Sequence, residues 1–232
     1  MIESHLAVRR AVVVVPAHDE ELLLNACLAS VVDAGNRVDV ECELVVVLDA
    51  CSDTSADIAA YWSAEAGATV VAIDRRNVGA ARAAGFLAAS TGRDTWFATT
   101  DGDSVVPSNW LVSQLVHARR GAQVVAGTVV TDLGSAHPSL TVAYEAGYRH
   151  RPGHRHVHGA NLGMRADAYW TVGGFGALRS DEDVDLISRF EHSAVPISYV
   201  ADAPVRTSAR RIGRAPDGFA AHLRDLELAV AL

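Results

Sequence analysis

Short apolar runs alternate with stretches of helical spacing, and this alternation limits the folds open to the chain. Ala11–Val15 (AVVVV), Glu43–Leu48 (ELVVVL), Thr69–Ile73 (TVVAI) and Trp96–Thr99 are β-branched or aromatic, as expected for buried strands of a mainly parallel sheet. Glu20–Val32 carries Leu22, Leu23, Ala26, Ala29 and Val32 at helical spacing, and Ser55–Glu65 and Val78–Ser90 are rich in Ala, the best helix former. Strand, helix, strand, helix predicts an α/β, Rossmann-like domain, with a mainly parallel central sheet flanked by helices. The 232 residues suit one core of roughly 200–250 residues, so the whole of 1–232 is expected to be a single domain.

Composition excludes several function classes. Half the residues are apolar and 21% are charged, ordinary globular usage, and no apolar run approaches the ~20 residues of a spanning helix. Glu3 and the brevity of the first apolar run argue against a secretory signal, which leads to an expected cytoplasmic location. Cys27, Cys42 and Cys51 are scattered without C-x-x-C spacing, so they read as reduced structural thiols. A formal charge of −8 argues against nucleic acid as a partner, because such binders need a basic footprint. The chain has Arg but no Lys, so a cationic side chain that meets an anion must be a guanidinium fork or a protonated His.

In parallel sheets, ligands sit beyond the carboxyl ends of the strands. Here Val15 leads to PAHDEE, Leu48 to DACSDTS, Ile73 to DRRNVG and Thr99 to TDGDS, so acids gather along one edge. Taken singly, each acid reads as a helix cap worth ~1 kcal/mol, and that is the preferred reading for Asp19 and Asp53. Asp101 and Asp103 differ, because they flank a glycine where the chain can aim both carboxylates at one hard cation. Phosphate oxygens could complete an octahedral Mg2+ or Mn2+ site.

The order PAHDEE, LDACSDTSADIA, RNVGAARAAG, TDGDS, VGGF and SDEDVDL resembles the family 2 glycosyltransferases of GT-A fold. Their usual pattern runs P-x-x-N-E, an Asp-containing turn before S-x-D-x-T, N-x-G-x-x-x-A-R, D-x-D, G-G-F and E-D-x-D-L. The match spans Pro16 to Leu186. It implies an inverting transfer of a sugar from a nucleoside-diphosphate sugar, with UDP preferred, to an acceptor hydroxyl.

The resemblance also implies roles. Pro16, Ala17 and Glu20 would hold the nucleoside, Glu20 at the ribose, and Asp49 would bond the base. Asn77, Gly79 and Arg82 would face the diphosphate beside Asp101 and Gly102. Asp101 and Asp103 would hold a divalent metal, Mn2+ or Mg2+, and Asp183 would be the base that takes the acceptor proton. Gly173 and Gly174, with Glu182, would lie on the acceptor side. The donor half is expected over about 11–104 and the acceptor half over about 105–215.

Two stretches depart from the pattern. YRHRPGHRHVHGANLGM places His154, His156 and His158 on one face if extended. His150, His154 and His156 read as a solvated loop, and His158, beside Gly159–Ala160–Asn161, as an acceptor contact. Near the C-terminus, many metal-dependent relatives supply a histidine ligand, but Thr207 and Ser208 stand in the corresponding place. Arg206, Arg210, Arg211 and Arg214 form a basic cluster suited to phosphate, with Arg210 and Arg211 as candidate phosphate contacts, against a reading as a solvated loop. These cationic stretches favour a small or peripherally presented anionic acceptor. Residues 216–232 read as a terminal amphipathic helix that packs on the core or forms a homodimer. A nucleotidyltransferase is the rival enzyme, but PAHDEE lacks the glycine-rich phosphate loop expected of one after the first strand. A catalytically inactive nucleotide-sugar-binding module is the other alternative, and donor hydrolysis separates it from an enzyme.

Overall fold

The computed structural model describes residues 7–89, 92, 94–131 and 151–210. Its centre is a seven-stranded sheet ordered β3-β2-β1-β4-β6-β5-β7. The strands are β1 (Arg10–Ala17), β2 (Glu41–Asp49), β3 (Thr69–Ile73), β4 (Thr95–Thr99), β5 (Val124–Thr131), β6 (Leu162–Arg165) and β7 (Ile197–Thr207). The β1–β2, β1–β4, β2–β3 and β5–β7 pairs are parallel, and β6 runs antiparallel to both β4 and β5. The four strands read from sequence all form, and β1 extends through Pro16 and Ala17; β3, read as buried, lies at the sheet edge with Thr69, Val70 and Ala72 exposed.

Both sheet faces are covered, which explains the unbroken apolar runs. Alternation along β1 divides them. Val13, Val15 and Ala17 pack under α1 (Leu24–Gly35), α2 (Ser55–Ala66) and α4 (Trp110–Arg119). Val12 and Val14 pack under α3 (Val78–Ala88), α5 (Ala166–Thr171) and α6 (Glu182–His192). On that second face Phe86 stacks on Phe97 with ring centroids 4.4 Å apart, a pairing worth about 0.5–1.5 kcal/mol beyond its buried area.

The first helix begins later than expected. Glu20–Leu23 form a turn in which the Glu20 carbonyl accepts the N–H groups of Leu23 and Leu24. The buried stripe is Leu24, Cys27, Leu28, Val31 and Ala34. Leu22, expected on the apolar face, is 88% exposed. The i, i+3, i+4, i+7 series carrying the larger side chains takes the core.

The single reversed strand has a consequence for the site. Leu162, at the start of β6, pairs with Thr99 at the end of β4. The segment entering β6 therefore lies on the same edge as the carboxyl ends of β1, β2, β4 and β7, and Val157–Asn161 joins the acid-rich turns there.

Candidate active site

Each strand end delivers one part of the site. Asp49, the last residue of β2, is buried, and its carboxylate reaches across to the loop that follows β3. Oδ1 accepts the N–H groups of Arg75 and Arg76 at 2.7 and 2.8 Å, and Oδ2 accepts that of Asn77 at 2.7 Å. Three backbone donors on one carboxylate make it a loop anchor, and both oxygens are engaged in that task. Arg76 takes a left-handed backbone there, φ 47°, an uncommon geometry outside glycine that the anchor holds in place. Asn77 then caps α3 by accepting the Ala80 N–H at 2.8 Å.

The start of α3 docks on the stretch that leads to α6. Gly79 donates its N–H to the Leu178 carbonyl at 3.1 Å, and Asn77 Nδ2 donates to the Ala177 carbonyl at 3.1 Å. A Cβ on Gly79 would collide with the Gly176 carbonyl, so the close approach requires glycine.

One turn further along α3, Arg82 is 2% exposed and lies between two acids. One arm of its guanidinium meets Asp101 Oδ1 at 2.5 Å and the other meets Glu182 Oε1. A desolvated guanidinium is tolerable only when paired in this way. Arg82 thereby ties the D-G-D turn after β4 to the first residue of α6. Gly102, between the two acids, is buried and donates its N–H to the Pro16 carbonyl at 3.2 Å.

Asp183 follows Glu182 and is half-buried. Its Oδ2 accepts the N–H of Gly159 at 2.5 Å, and its Oδ1 accepts the N–H of Val184 at 2.8 Å. A Cβ on Gly159 would run into the Arg82 guanidinium. Gly159 therefore has two tasks, making room for the arginine and aiming the aspartate. Sequence reading left Gly159 without a role, because only the reversal of β6 brings it to this edge.

Asp103 is a perturbed acid on this edge. Burial first, then the neighbouring Asp101 carboxylate, push it up to about 6, while Arg210 pulls in the opposite direction. Ser104 Oγ donates to Asp103 Oδ1 at 3.3 Å and also lies 3.0 Å from Thr207 Oγ1. Thr207 thus stands close to Asp103. Glu20 is buried, its N–H bonded to Ser55 Oγ at 2.9 Å. Its two carboxylate oxygens meet Arg210 at 2.6 and 2.7 Å, and Arg210 also meets Asp103 Oδ2 at 3.0 Å. Arg210, expected at a phosphate, is therefore an ion-pair partner of donor-side acids. Arg211, Arg214, His150 and the helix expected over 216–232 lie outside the described residues.

The remaining expectations resolve as follows. Asp53 stands one position before Thr54, the N-cap of α2, and its Oδ1 accepts the Ser55 N–H at 2.9 Å; Asp19, read as a cap, instead accepts the Ser52 N–H at 2.7 Å in the turn after β2. With Cys51 these two acids form, among the described residues, a group of metal-ligand type within 4.8 Å, although their oxygens already join the turns after β1 and β2. His154 is not solvated. It is 4% exposed, with Nε2 2.9 Å from the Val200 carbonyl and Nδ1 accepting the His156 N–H at 3.1 Å. Both nitrogens are committed to the backbone. His156 and His158 continue the row at centroid spacings of 5.5 and 6.3 Å. Gly173 and Gly174 have φ of 87° and 68°, and the second presses on the Tyr169 ring, whose hydroxyl accepts the Phe175 N–H at 3.0 Å.

Comparison with known proteins places this arrangement. The family model described as Glycosyl transferase family 2 matches residues 12–172. The chain belongs to glycosyl transferase family 2. This family 2 chain has the GT-A fold, as its similarity to solved structures shows. It is similar to TarS 1–349 of S. aureus in complex with UDP-GlcNAc, with a TM-score of 0.69 and 16% identity over 96% of this chain and 65% of that one. It is similar to the mannosyltransferase PcManGT of Pyrobaculum calidifontis in complex with GDP-Man and Mn2+, with a TM-score of 0.66 and 18% identity over 98% and 71%. Against a longer S. aureus TarS structure the TM-score is 0.66, and the chain spans 36% of that protein. No curated protein matches the family 2 chain. No helix among its described residues is long and apolar enough to cross a membrane.

Proposed function

We propose that this chain is an inverting glycosyltransferase that moves a sugar from a nucleoside-diphosphate sugar to an acceptor hydroxyl, with Asp183 as the base. The observation that carries the reading is the Arg82 bridge. It links Asp101, in the donor-side turn, to Glu182, the immediate neighbour of Asp183. Donor acids and base therefore sit on one braced frame. The GT-A neighbours in complex with UDP-GlcNAc, UDP and GDP-Man support a nucleotide-sugar donor. The two TarS complexes support UDP before GDP.

Within this reading Pro16, Ala17 and Glu20 border the nucleoside. Asp49 acts through the 75–77 loop that it anchors, and Asn77 and Gly79 hold that loop against 176–178. Asp101 and Asp103 are the residues to hold a divalent cation. Their carboxylate oxygens are hard donors of the kind that Mg2+ or Mn2+ takes, and a neighbour is in complex with Mn2+. When bound, the cation supplies Lewis-acid stabilisation of the departing diphosphate.

The protein's own residues supply the rest. Asp183 receives the acceptor proton on a carboxylate oxygen as the hydroxyl attacks the anomeric carbon from the face opposite the diphosphate. Gly159 keeps that carboxylate oriented, and Glu182 stays paired to Arg82. His158, next to Gly159, borders the acceptor, as do Gly173 and Gly174. A soluble or peripherally presented anionic acceptor suits the Arg- and His-bearing stretches.

Calorimetry with UDP and GDP, with and without Mn2+, tests the donor half. Micromolar binding of one nucleotide that strengthens with Mn2+ is the expected result. Binding of neither nucleotide under any metal condition contradicts the proposal.

A further inference from the structure

Arg210 lies three positions past the end of β7 (Ile197–Thr207), yet its guanidinium reaches back into the donor edge. Nη1 and Nη2 meet the two oxygens of Glu20 at 2.7 and 2.6 Å, and Nη2 also meets Asp103 Oδ2 at 3.0 Å. The side chains of Glu20 and Asp103 are 7% and 10% exposed, and that of Arg210 is 28% exposed. Two nearly buried carboxylates thus share one cation that stands closer to solvent. Without it, each carboxylate would face a desolvation cost with its charge unpaired.

Among the described residues, the ion pairs of this edge join the carboxylates Glu20, Asp101, Asp103 and Glu182 to two guanidiniums, Arg82 and Arg210. They are not equivalent. Arg82 is fully buried and held from two sides, whereas Arg210 projects from the chain just beyond a strand end. Arg210 is the one placed to leave.

We propose that Arg210 is a built-in counter-ion of the donor site that makes cation and nucleotide bind together. The inference rests on the reading above that Glu20, Asp101 and Asp103 take a nucleotide with its cation. A divalent ion arriving alone competes with a tethered guanidinium for Asp103 and returns nothing to it. A nucleoside diphosphate arriving with the ion offers Arg210 a pair of phosphate oxygens, for which a guanidinium fork is as well matched as for the carboxylate of Glu20. Arg210 then exchanges one bidentate partner for another, the ribose hydroxyls of the nucleotide donate to the Glu20 carboxylate that it leaves, and the cation takes Asp103. Cation and nucleotide each strengthen the binding of the other, by the same factor in both directions.

The test measures binding, without turnover. Mn2+ is titrated into metal-stripped parent protein and into Arg210→Gln, with free Mn2+ followed by electron paramagnetic resonance. UDP and GDP are then titrated into each by calorimetry, with and without Mn2+. Arg210→Gln should bind Mn2+ alone about tenfold more tightly, the scale expected when a competing charge-assisted bond is lost. Its nucleotide affinity should respond less to Mn2+ than the parent's does. Arg210→Lys, which keeps the charge without the fork, should retain the weak Mn2+ binding but bind nucleotide in Mn2+ more weakly than the parent, and that loss carries the test if the Gln variant does not fold, parental nucleotide affinity in Arg210→Lys overturning the exchange. Equal Mn2+ affinity in the parent and Arg210→Gln, with nucleotide still bound, overturns the counter-ion role and leaves the donor site standing. Absence of nucleotide binding in the parent overturns both.

Discussion

The N–H of Gly159 donates to Oδ2 of Asp183 at 2.5 Å, and the space that a Gly159 side chain would fill is taken by the Arg82 guanidinium. One residue without a side chain thus serves the proposed base and the buried arginine together. Gly159→Ala should lose about 1–3 kcal/mol, the usual cost of overpacking, and turnover should fall with it. Urea melts alongside donor hydrolysis rates check this. A variant as stable and as active as the parent would show that the close approach is not required.

Arg82→Met should be costlier. It leaves Glu182 buried without its cation, and breaking a buried pair from one side typically costs about 3–5 kcal/mol. The double variant Arg82→Met, Glu182→Gln should recover part of that loss. If the double variant is as unstable as the sum of the two singles, measured by denaturant titration, the two residues are not energetically coupled.

Asp49→Asn replaces one of the acceptor oxygens with a donor facing a backbone N–H, at a cost of about 1–3 kcal/mol. Hydrogen exchange of the amides of Arg75, Arg76 and Asn77 should accelerate ahead of the rest of the chain. Unchanged protection at those amides would return Asp49 to direct base contact.

Asp103 gives a pH dependence whose sign follows from its raised value. Its carboxyl sits at about 6 against an ordinary 3.8, so the folded chain holds the proton more tightly than the unfolded one. That contribution is complete below 3.8 and is lost as pH rises through about 6. In chelator, the melting temperature of Asp103→Asn relative to the parent should climb between about pH 4 and pH 7. Parallel curves across that window would remove the perturbation.

How much of this could be read from sequence varied with how local the cause was. The β1, β2 and β4 runs were legible because both sheet faces are covered there, whereas the burial of β3 was overread because its apolar run lies at the sheet edge. The stripe of α1 was misplaced because Ala and Leu occur on both of its faces, and only packing against Val13 and Val15 selects Leu24, Cys27 and Leu28. Asp101, Asp103 and Asp183 stood out through their motifs. The attachment of Arg210 to Glu20, 190 positions away, has no local signature, and neither does the delivery of Gly159 by a reversed strand. His154 looked like a surface residue because its burial depends on the Val200 carbonyl of a distant strand.

The central claim is that Asp183 is the base at a nucleotide-sugar site, and Asp183→Asn tests it most directly. Nucleotide binding by calorimetry and sugar transfer are measured on the same preparation. The account predicts nucleotide affinity close to the parent's and turnover lower by roughly two to four orders of magnitude, the scale of a positioned base. Transfer at the parental rate with binding intact would contradict it.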